Sequence, residues 1–234
     1  MNPGLYLHIP FCEQRCYYCA FTVAVAPEHT FEPYIDRLIR EIEISGFDLD
    51  PATVYFGGGT PSLVNAEMIG RILKTLRSVP SEVSIEVNPG TLSKSKVERY
   101  RDLRISRISL GAQSLEDEDL ERAGRLHKST AVFTDFHILR REGFTNINLD
   151  LIAGLPGQQL ETWTRNLDRV LELRPELVDR VLARTPNHVQ PPSFFSRHTP
   201  SDTPKFGRNR WMPKDTGALW RTPLAGGRSE AALW

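Results

Sequence analysis

Three things are scarce in this 234-residue chain: cysteine, of which there are three, apolar runs long enough to cross a bilayer, and any excess of charge of one sign. The 29 basic and 29 acidic residues cancel, so bulk charge draws the protein neither to nucleic acid nor to an anionic membrane surface. The opening MNPGLYLHIP lacks the basic and apolar regions of a signal peptide. The expectation is a cytoplasmic protein with no integral membrane segment and no nucleic-acid partner. In a reducing compartment an odd number of cysteines argues against disulfides and moves a metal role forward.

What is present begins with those cysteines. All three fall within CEQRCYYC, as Cys12, Cys16 and Cys19. Thiolates are soft, anionic ligands suited to iron-sulfur clusters and to zinc. A four-iron cluster usually takes four cysteines, so three would leave one iron open to a ligand. The competing reading is zinc, its fourth ligand supplied by nearby His8.

From residue 1 to 183, short β-rich runs alternate with segments of helical period, the pattern of an α/β parallel sheet or barrel. Strands are expected at Leu5–Ile9, Thr53–Phe56, Val83–Val87, Ser106–Leu110, Ile147–Ile152 and Leu177–Leu182. One helix places Phe31, Tyr34, Ile35, Leu38, Ile39 and Ile42 on one face, with Thr30 set to cap its start and Gly46 near its end. A second carries Met68, Ile69, Ile72, Leu73 and Leu76 after an Asn65 cap and stops before Pro80. Others are expected over Lys96–Leu103, Ala131–Glu142 and Leu160–Leu173. Residues 184–234 break the pattern. They hold seven of the 17 prolines, three of the four tryptophans, and eight basic against three acidic residues. The expectation there is an irregular, poorly ordered tail.

In a parallel βα array, ligands gather at the carboxyl ends of the strands. Gly57, Gly58 and Gly59, in GGGTPS, allow positive φ and close approach of backbone amides to a ligand. Glu86, in SIEVNPG, suits the two vicinal hydroxyls of a ribose. Gln113 in SLGAQS and Asp150 in NLDLIAGLPGQ are polar groups that could face the same cavity, and Arg125 could hold a carboxylate.

Taken in order, LYLHIPFCEQRCYYCAF, VYFGGGTPS, IEVNPGTL, ISLGAQS and INLDLIAGLPGQ resemble the radical S-adenosylmethionine proteins of the oxygen-independent coproporphyrinogen III oxidase group, from Gly4 to about Pro175. The resemblance is greatest to the HemW-type heme chaperone branch. Ala20 and Phe21 follow the cluster motif where the oxidases carry a further cysteine, and no long extension precedes it.

The resemblance implies a partial (β/α)6 TIM-like barrel over residues 1–183 and a 4Fe-4S cluster on Cys12, Cys16 and Cys19, whose free iron chelates S-adenosylmethionine. Tyr6, Gly58 and Glu86 match positions that contact that molecule. Tyr18, Gly59, Thr60, Gln113, Arg125 and Asp150 match positions that hold a second S-adenosylmethionine in the oxidase. It also implies reductive cleavage of the sulfonium to methionine and a 5′-deoxyadenosyl radical, which in the oxidases takes hydrogen from a porphyrinogen propionate. Implied partners are heme or porphyrinogen, an electron donor and a heme-acceptor protein.

Full-length relatives continue into a further domain, where the chaperone branch has a His-Asn segment followed by Tyr-Trp associated with heme. Nothing after Arg184 matches it, and neither His188 nor His198 is nominated as an axial ligand. The expectation is a truncated or frame-disrupted product whose final strand lacks its covering helix. Three functions are therefore carried forward: a heme chaperone, an oxidase decarboxylating coproporphyrinogen III in porphyrin biosynthesis, and an inactive fragment that keeps the cluster site.

Overall fold

The computed structural model of the chain describes residues 3–45 and 50–182. Along it run β1 (Gly4–Ile9), two short strands β2 (Phe11–Cys12) and β3 (Ala24–Val25), α1 (Phe31–Ile44), β4 (Thr53–Gly58) and α2 (Ala66–Leu73). There follow β5 (Glu82–Val87), α3 (Lys94–Asp102), β6 (Arg107–Gln113), α4 (Asp117–Arg122), α5 (Ser129–Arg141), β7 (Ile147–Ala153), α6 (Leu160–Leu173) and β8 (Leu177–Leu182). Six strands form one parallel sheet in the order β1-β4-β5-β6-β7-β8. Each crossover therefore steps one place in the same direction. Because such crossovers are right-handed, every connecting helix falls on the same side of the sheet. The helices pack side by side there, α1 on α2, α2 on α3 and α3 on α5.

This one-sided arrangement is written in the period-two alternation of the strands. Leu7, Val54, Phe56, Val83, Ile85, Val87, Ile108, Leu110, Ile147 and Leu149 form the helix-facing layer and are buried. Into them pack Ile35, Ile69, Ile72, Val97, Tyr100, Val132, Phe136, Leu139 and Val170 from the helices. The alternate positions carry the polar residues Tyr6, His8, Tyr55, Ser84, Glu86, Arg107, Ser109, Asn148, Asp150 and Asp179. Register holds these on the opposite face: Tyr6 lies beside Tyr55, Tyr55 beside Ser84, Glu86 beside Ser109, Ser109 beside Asn148, and Asp150 beside Asp179. The fold is the expected α/β parallel array with an inner face of hydrogen-bonding groups.

Local departures from expectation have physical causes. Thr30 does not cap α1. It ends a 3₁₀ turn over Glu28–Thr30, and its hydroxyl donates to the Pro27 carbonyl at 2.7 Å. Asn65 does cap α2, accepting from the Glu67 N–H at 2.9 Å, but α2 ends at Leu73, short of Leu76. Ser93 caps α3 by accepting from the Lys96 N–H, so that helix starts before Lys96. Strands β4 and β6 run on past Phe56 and Leu110, β6 through an irregularity in its register with β7. The six-residue α4 and the β2-β3 pair were not expected. Gly46 and the tail expected at 184–234 lie outside the described residues. No described helix is long and apolar enough to cross a membrane.

Asn65→Ala should cost about 1 kcal/mol, the usual worth of an N-cap, whereas Thr30→Ala should stay within about 0.5 kcal/mol. Urea denaturation of the two variants side by side checks both.

Candidate functional site

The cysteine loop leaves β1 at its carboxyl end and is tied down along its length. The Gly59 N–H donates to the Ile9 carbonyl at 2.8 Å, and the Ala24 N–H to Pro10 at 2.8 Å. At the loop's far side, the Tyr17 N–H donates to the Ala123 carbonyl at 3.1 Å, and the Gln14 amide to the Gly124 carbonyl. The Cys19 N–H donates to the Cys16 carbonyl at 3.1 Å, turning the chain so that the last two cysteines lie on one bend. All three thiols are free and partly buried.

Two of the three cysteines meet a residue singled out in the sequence. Cys12 Sγ lies 3.5 Å from Thr60 Oγ1, and Arg125 Nη1 donates toward Cys16 Sγ at 3.7 Å. Burial pushes the Cys12 thiol up, the Thr60 hydroxyl pulls it down, and charge on Cys19 and Cys16 raises it again. The three sulfurs therefore feel one another. No three His, Cys, Asp or Glu side chains among the described residues surround a single ion position. The thiolates of a four-iron cluster each take a different iron. His8, the fourth ligand of the zinc reading, here accepts from the Tyr6 hydroxyl at Nδ1 (3.3 Å) and donates from Nε2 to the Thr22 carbonyl (3.1 Å). Three soft, unpaired thiols and no competing fourth ligand fit a cluster with one open iron.

The glycine triplet does something different from what was expected. Only Gly58 has a positive φ, at 125°. Its N–H donates to Glu86 Oε2 at 3.0 Å, so neither it nor the Gly59 N–H is left free for a ligand. What the glycines permit is close packing: a Cβ on Gly59 would stand 2.4 Å from the Pro10 carbonyl oxygen, and one on Gly58 2.7 Å from the His8 ring. The end of β4 thus presses against the root of the cysteine loop.

Glu86 faces inward from β5 and accepts from Tyr55 Oη at 2.8 Å as well as from Gly58. Burial raises its carboxyl despite both bonds. Tyr6 stacks on Tyr55 at a ring separation of 5.9 Å, and burial, reinforced by the charge of Glu86, pushes its phenol up to about 12. Asp150, on β7, accepts from the Ser109 hydroxyl at 2.9 Å and from the Asn148 amide. Burial first, and then the charges of Asp179 and Glu86, raise its carboxyl to about 7. Gln113 sits at φ 65°, an uncommon conformation for a residue with a side chain, and its amide lies over Gly111. Tyr18 receives a hydrogen bond from Arg125 at 3.3 Å.

The predicted residues fall into three groups. Cys12, Cys16, Cys19, Tyr18, Thr60 and Arg125 cluster around the loop, while Tyr6, Gly58 and Glu86 form a patch at the inner ends of β1, β4 and β5. Asp150 and Gln113 line the β6-β7 side. Sequence reasoning passed over Tyr55, Asn88, Ser109, Asn148 and Asp179. Strand alternation alone would have put Tyr55, Ser109 and Asp179 on the inner face.

The model of the radical SAM superfamily matches residues 6–170. The chain belongs to that superfamily. Among curated relatives of this radical SAM chain, the heme chaperone HemW of Lactococcus lactis is 37% identical over 175 residues, covering 72% of this chain and 46% of its own length. The heme chaperone HemW of Bacillus subtilis is 38% identical over 182 residues, covering 73% and 48% respectively. Among solved structures, the coproporphyrinogen III oxidase HemN of Escherichia coli superposes with a TM-score of 0.69 at 33% identity, over 76% of this chain and 44% of that one. The chain thus spans less than half the length of these relatives. Membership of the superfamily carries the 4Fe-4S cluster and S-adenosylmethionine as its cofactors.

A carboxyl whose folded pKa lies above its unfolded value stabilises the fold at low pH, and that contribution is lost as pH rises through the folded value. Asp150, raised from its ordinary 3.8 to about 7, should weaken the fold progressively between about pH 4 and pH 7. Subtracting the stability of Asp150→Asn from that of the parent at each pH should show a difference that falls across this window and is flat above it. Urea midpoints at half-unit pH steps measure it.

Proposed function

We propose that this chain is the cluster-bearing, S-adenosylmethionine-cleaving portion of a HemW-type heme chaperone acting in the cytoplasm. The observation that carries the reading is the placement of Cys12, Cys16 and Cys19 on a loop fastened across the strand ends of a polar-faced parallel sheet. Identities of 37% and 38% to two heme chaperones support the branch.

Cys12, Cys16 and Cys19 hold the cluster. What a bound, reduced cluster supplies is one electron to a sulfonium, whose cleavage gives methionine and a 5′-deoxyadenosyl radical. This chain's own residues do the rest. Glu86 offers carboxylate lone pairs to the ribose hydroxyls, and Tyr6 borders the same patch. The Tyr55 hydroxyl and the Gly58 N–H keep Glu86 in one orientation. The Tyr17 N–H on Ala123, the Gln14 side-chain amide on Gly124 and the Ala24 N–H on Pro10 hold the loop in place across the strand ends. Heme is the cargo in this reading, with an electron donor and a heme-acceptor protein as partners.

The oxidase reading draws support from the HemN likeness and from the positions of Gln113 and Asp150 on β6 and β7. It requires conversion of coproporphyrinogen III to protoporphyrinogen IX. The segment on which the fragment reading rests, 184–234, lies outside the described residues.

Anaerobic reconstitution should yield a chain with about four irons, from the three-cysteine ligand set, and an electron paramagnetic resonance signal that shifts on adding S-adenosylmethionine. Titrated hemin should then develop a shifted Soret band, and coproporphyrinogen III should remain unconsumed. A preparation holding zinc and no iron would overturn the proposal. A cluster-loaded protein that leaves the hemin spectrum unchanged would remove the heme part of it.

Cys16→Ala should lose the four-iron cluster, seen as loss of iron and sulfide together. Glu86→Ala should weaken S-adenosylmethionine binding by about 1–3 kcal/mol, the range for lost hydrogen bonds to a charged group. Calorimetry on folded, cluster-loaded protein gives the number.

A further inference from the structure

Resting on the cluster reading above, we propose that Arg125 is a positioning residue for the cluster itself: it pins the cysteine loop to the sheet and places a fixed positive charge at a ligand sulfur. Its guanidinium spans three separate pieces of chain. Nη1 donates to the Tyr18 hydroxyl at 3.3 Å and toward Cys16 Sγ at 3.7 Å, both on the loop. Nη2 donates to the Gly111 carbonyl on β6 at 3.0 Å and to Asn88 Oδ1 just past β5. A planar fork that reaches two ways is what arginine supplies and lysine does not.

The segment that carries Arg125 is itself tied to the loop. It follows Ala123 and Gly124, whose carbonyls take the Tyr17 N–H and the Gln14 amide. Gly124, at φ 71°, has the Tyr17 ring so close that a Cβ would stand 3.1 Å from it. The segment carrying Arg125 and the segment carrying Cys16 are therefore laced by backbone and side chain alike.

Of the residues that resemblance places at a second S-adenosylmethionine site, Thr60 and Arg125 here reach loop cysteines, and Tyr18, on the loop itself, accepts from Arg125. Their work in this chain is to hold the cluster's ligands. A cation beside a ligand sulfur favours the reduced, more negative cluster, so Arg125 raises its reduction potential.

The test uses the full chain, reconstituted anaerobically, as parent, Arg125→Gln, Arg125→Lys and Asn88→Ala. Redox titration followed by paramagnetic resonance, without S-adenosylmethionine, gives the midpoint potential. Iron release to a chelator gives the hold on the cluster. Arg125→Gln should shift the potential to more negative values and lose iron roughly tenfold faster, as happens when groups supporting metal ligands are removed. Arg125→Lys should keep the potential near the parent's while losing iron faster, because charge survives and the fork does not. Asn88→Ala should also speed iron loss, and with Arg125→Lys it carries the test if Arg125→Gln does not fold. Parent-like potential and parent-like release in the folded variants would overturn the proposal, as would loss of S-adenosylmethionine binding alone. A parent without iron would instead defeat the cluster reading.

Discussion

Everything the molecule can do follows from the strand register, which sorts apolar side chains to one face and polar ones to the other. Pairing Tyr6 with Tyr55, Tyr55 with Ser84 and Ser84 with Arg107 leaves Leu7, Phe56, Ile85 and Ile108 in line on the helix side. A slip of one residue in any strand would send its polar residues under the helices and its apolar ones to the inner face. Parallel sheets are usually covered by apolar packing on both faces. Here the inner face keeps carboxylates, phenols and amides, so the energy that holds the fold comes from one side and the other is free for chemistry.

That division explains how buried polar groups are tolerated. Asn148 is fully buried and donates to Ser109 Oγ at 2.9 Å and Asp179 Oδ2 at 3.1 Å as well as to Asp150. The Ser109 hydroxyl in turn donates to Asp150. Asp150 and Asp179, paired across β7 and β8, would repel one another if both were ionised. The raised carboxyl of Asp150 relieves this by keeping a proton there up to near neutrality. A second polar network, behind the strand ends, is fully partnered: Asp119 accepts from Ser114 at 3.0 Å, from Gln158 at 2.9 Å and from Arg122 at 2.7 Å. Gln158 also accepts from the Gly154 N–H at 2.8 Å. These bonds join α4 to the turns after β6 and β7.

The sequence made the scaffold and the cluster motif legible because both are local. Three cysteines within eight residues need no folding to be seen, and runs such as Val83–Val87 announce strands through their own alternation. Strand-end reasoning drew attention to Glu86 and Arg125, and the family resemblance to Thr60. What stayed hidden was every partnership between distant segments. Arg125 looked like a free cation for a substrate carboxylate, yet its acceptors come from residues 18, 88 and 111, which only the sheet order brings together. Gly58 and Gly59 looked like ligand-binding amides, yet Glu86 and Ile9 take their N–H groups. Thr30 failed as a cap because the preceding 3₁₀ turn leaves its backbone helical, at φ −86° and ψ −13°, where a cap is extended. In each case a local propensity was right about the residue type and silent about the partner.

The cysteine loop is where the two faces of this argument meet. Between Cys12 and Ala24 the chain has little regular structure, and a loop carrying three free thiols has no reason of its own to keep one shape. Its shape is imposed from the rims of the sheet: Ile9 and Pro10 at its root, Thr60 beside Cys12, and Ala123, Gly124 and Arg125 beside Cys16 and Tyr17. Ala123, Gly124 and Arg125 are in turn fixed by the polar network around Asp119, which settles α4 and therefore the residues that follow it. The cysteine loop is thus positioned by the sheet, through the α4–α5 turn, with the Arg125 guanidinium joining that turn to the loop, to β6 and to Asn88.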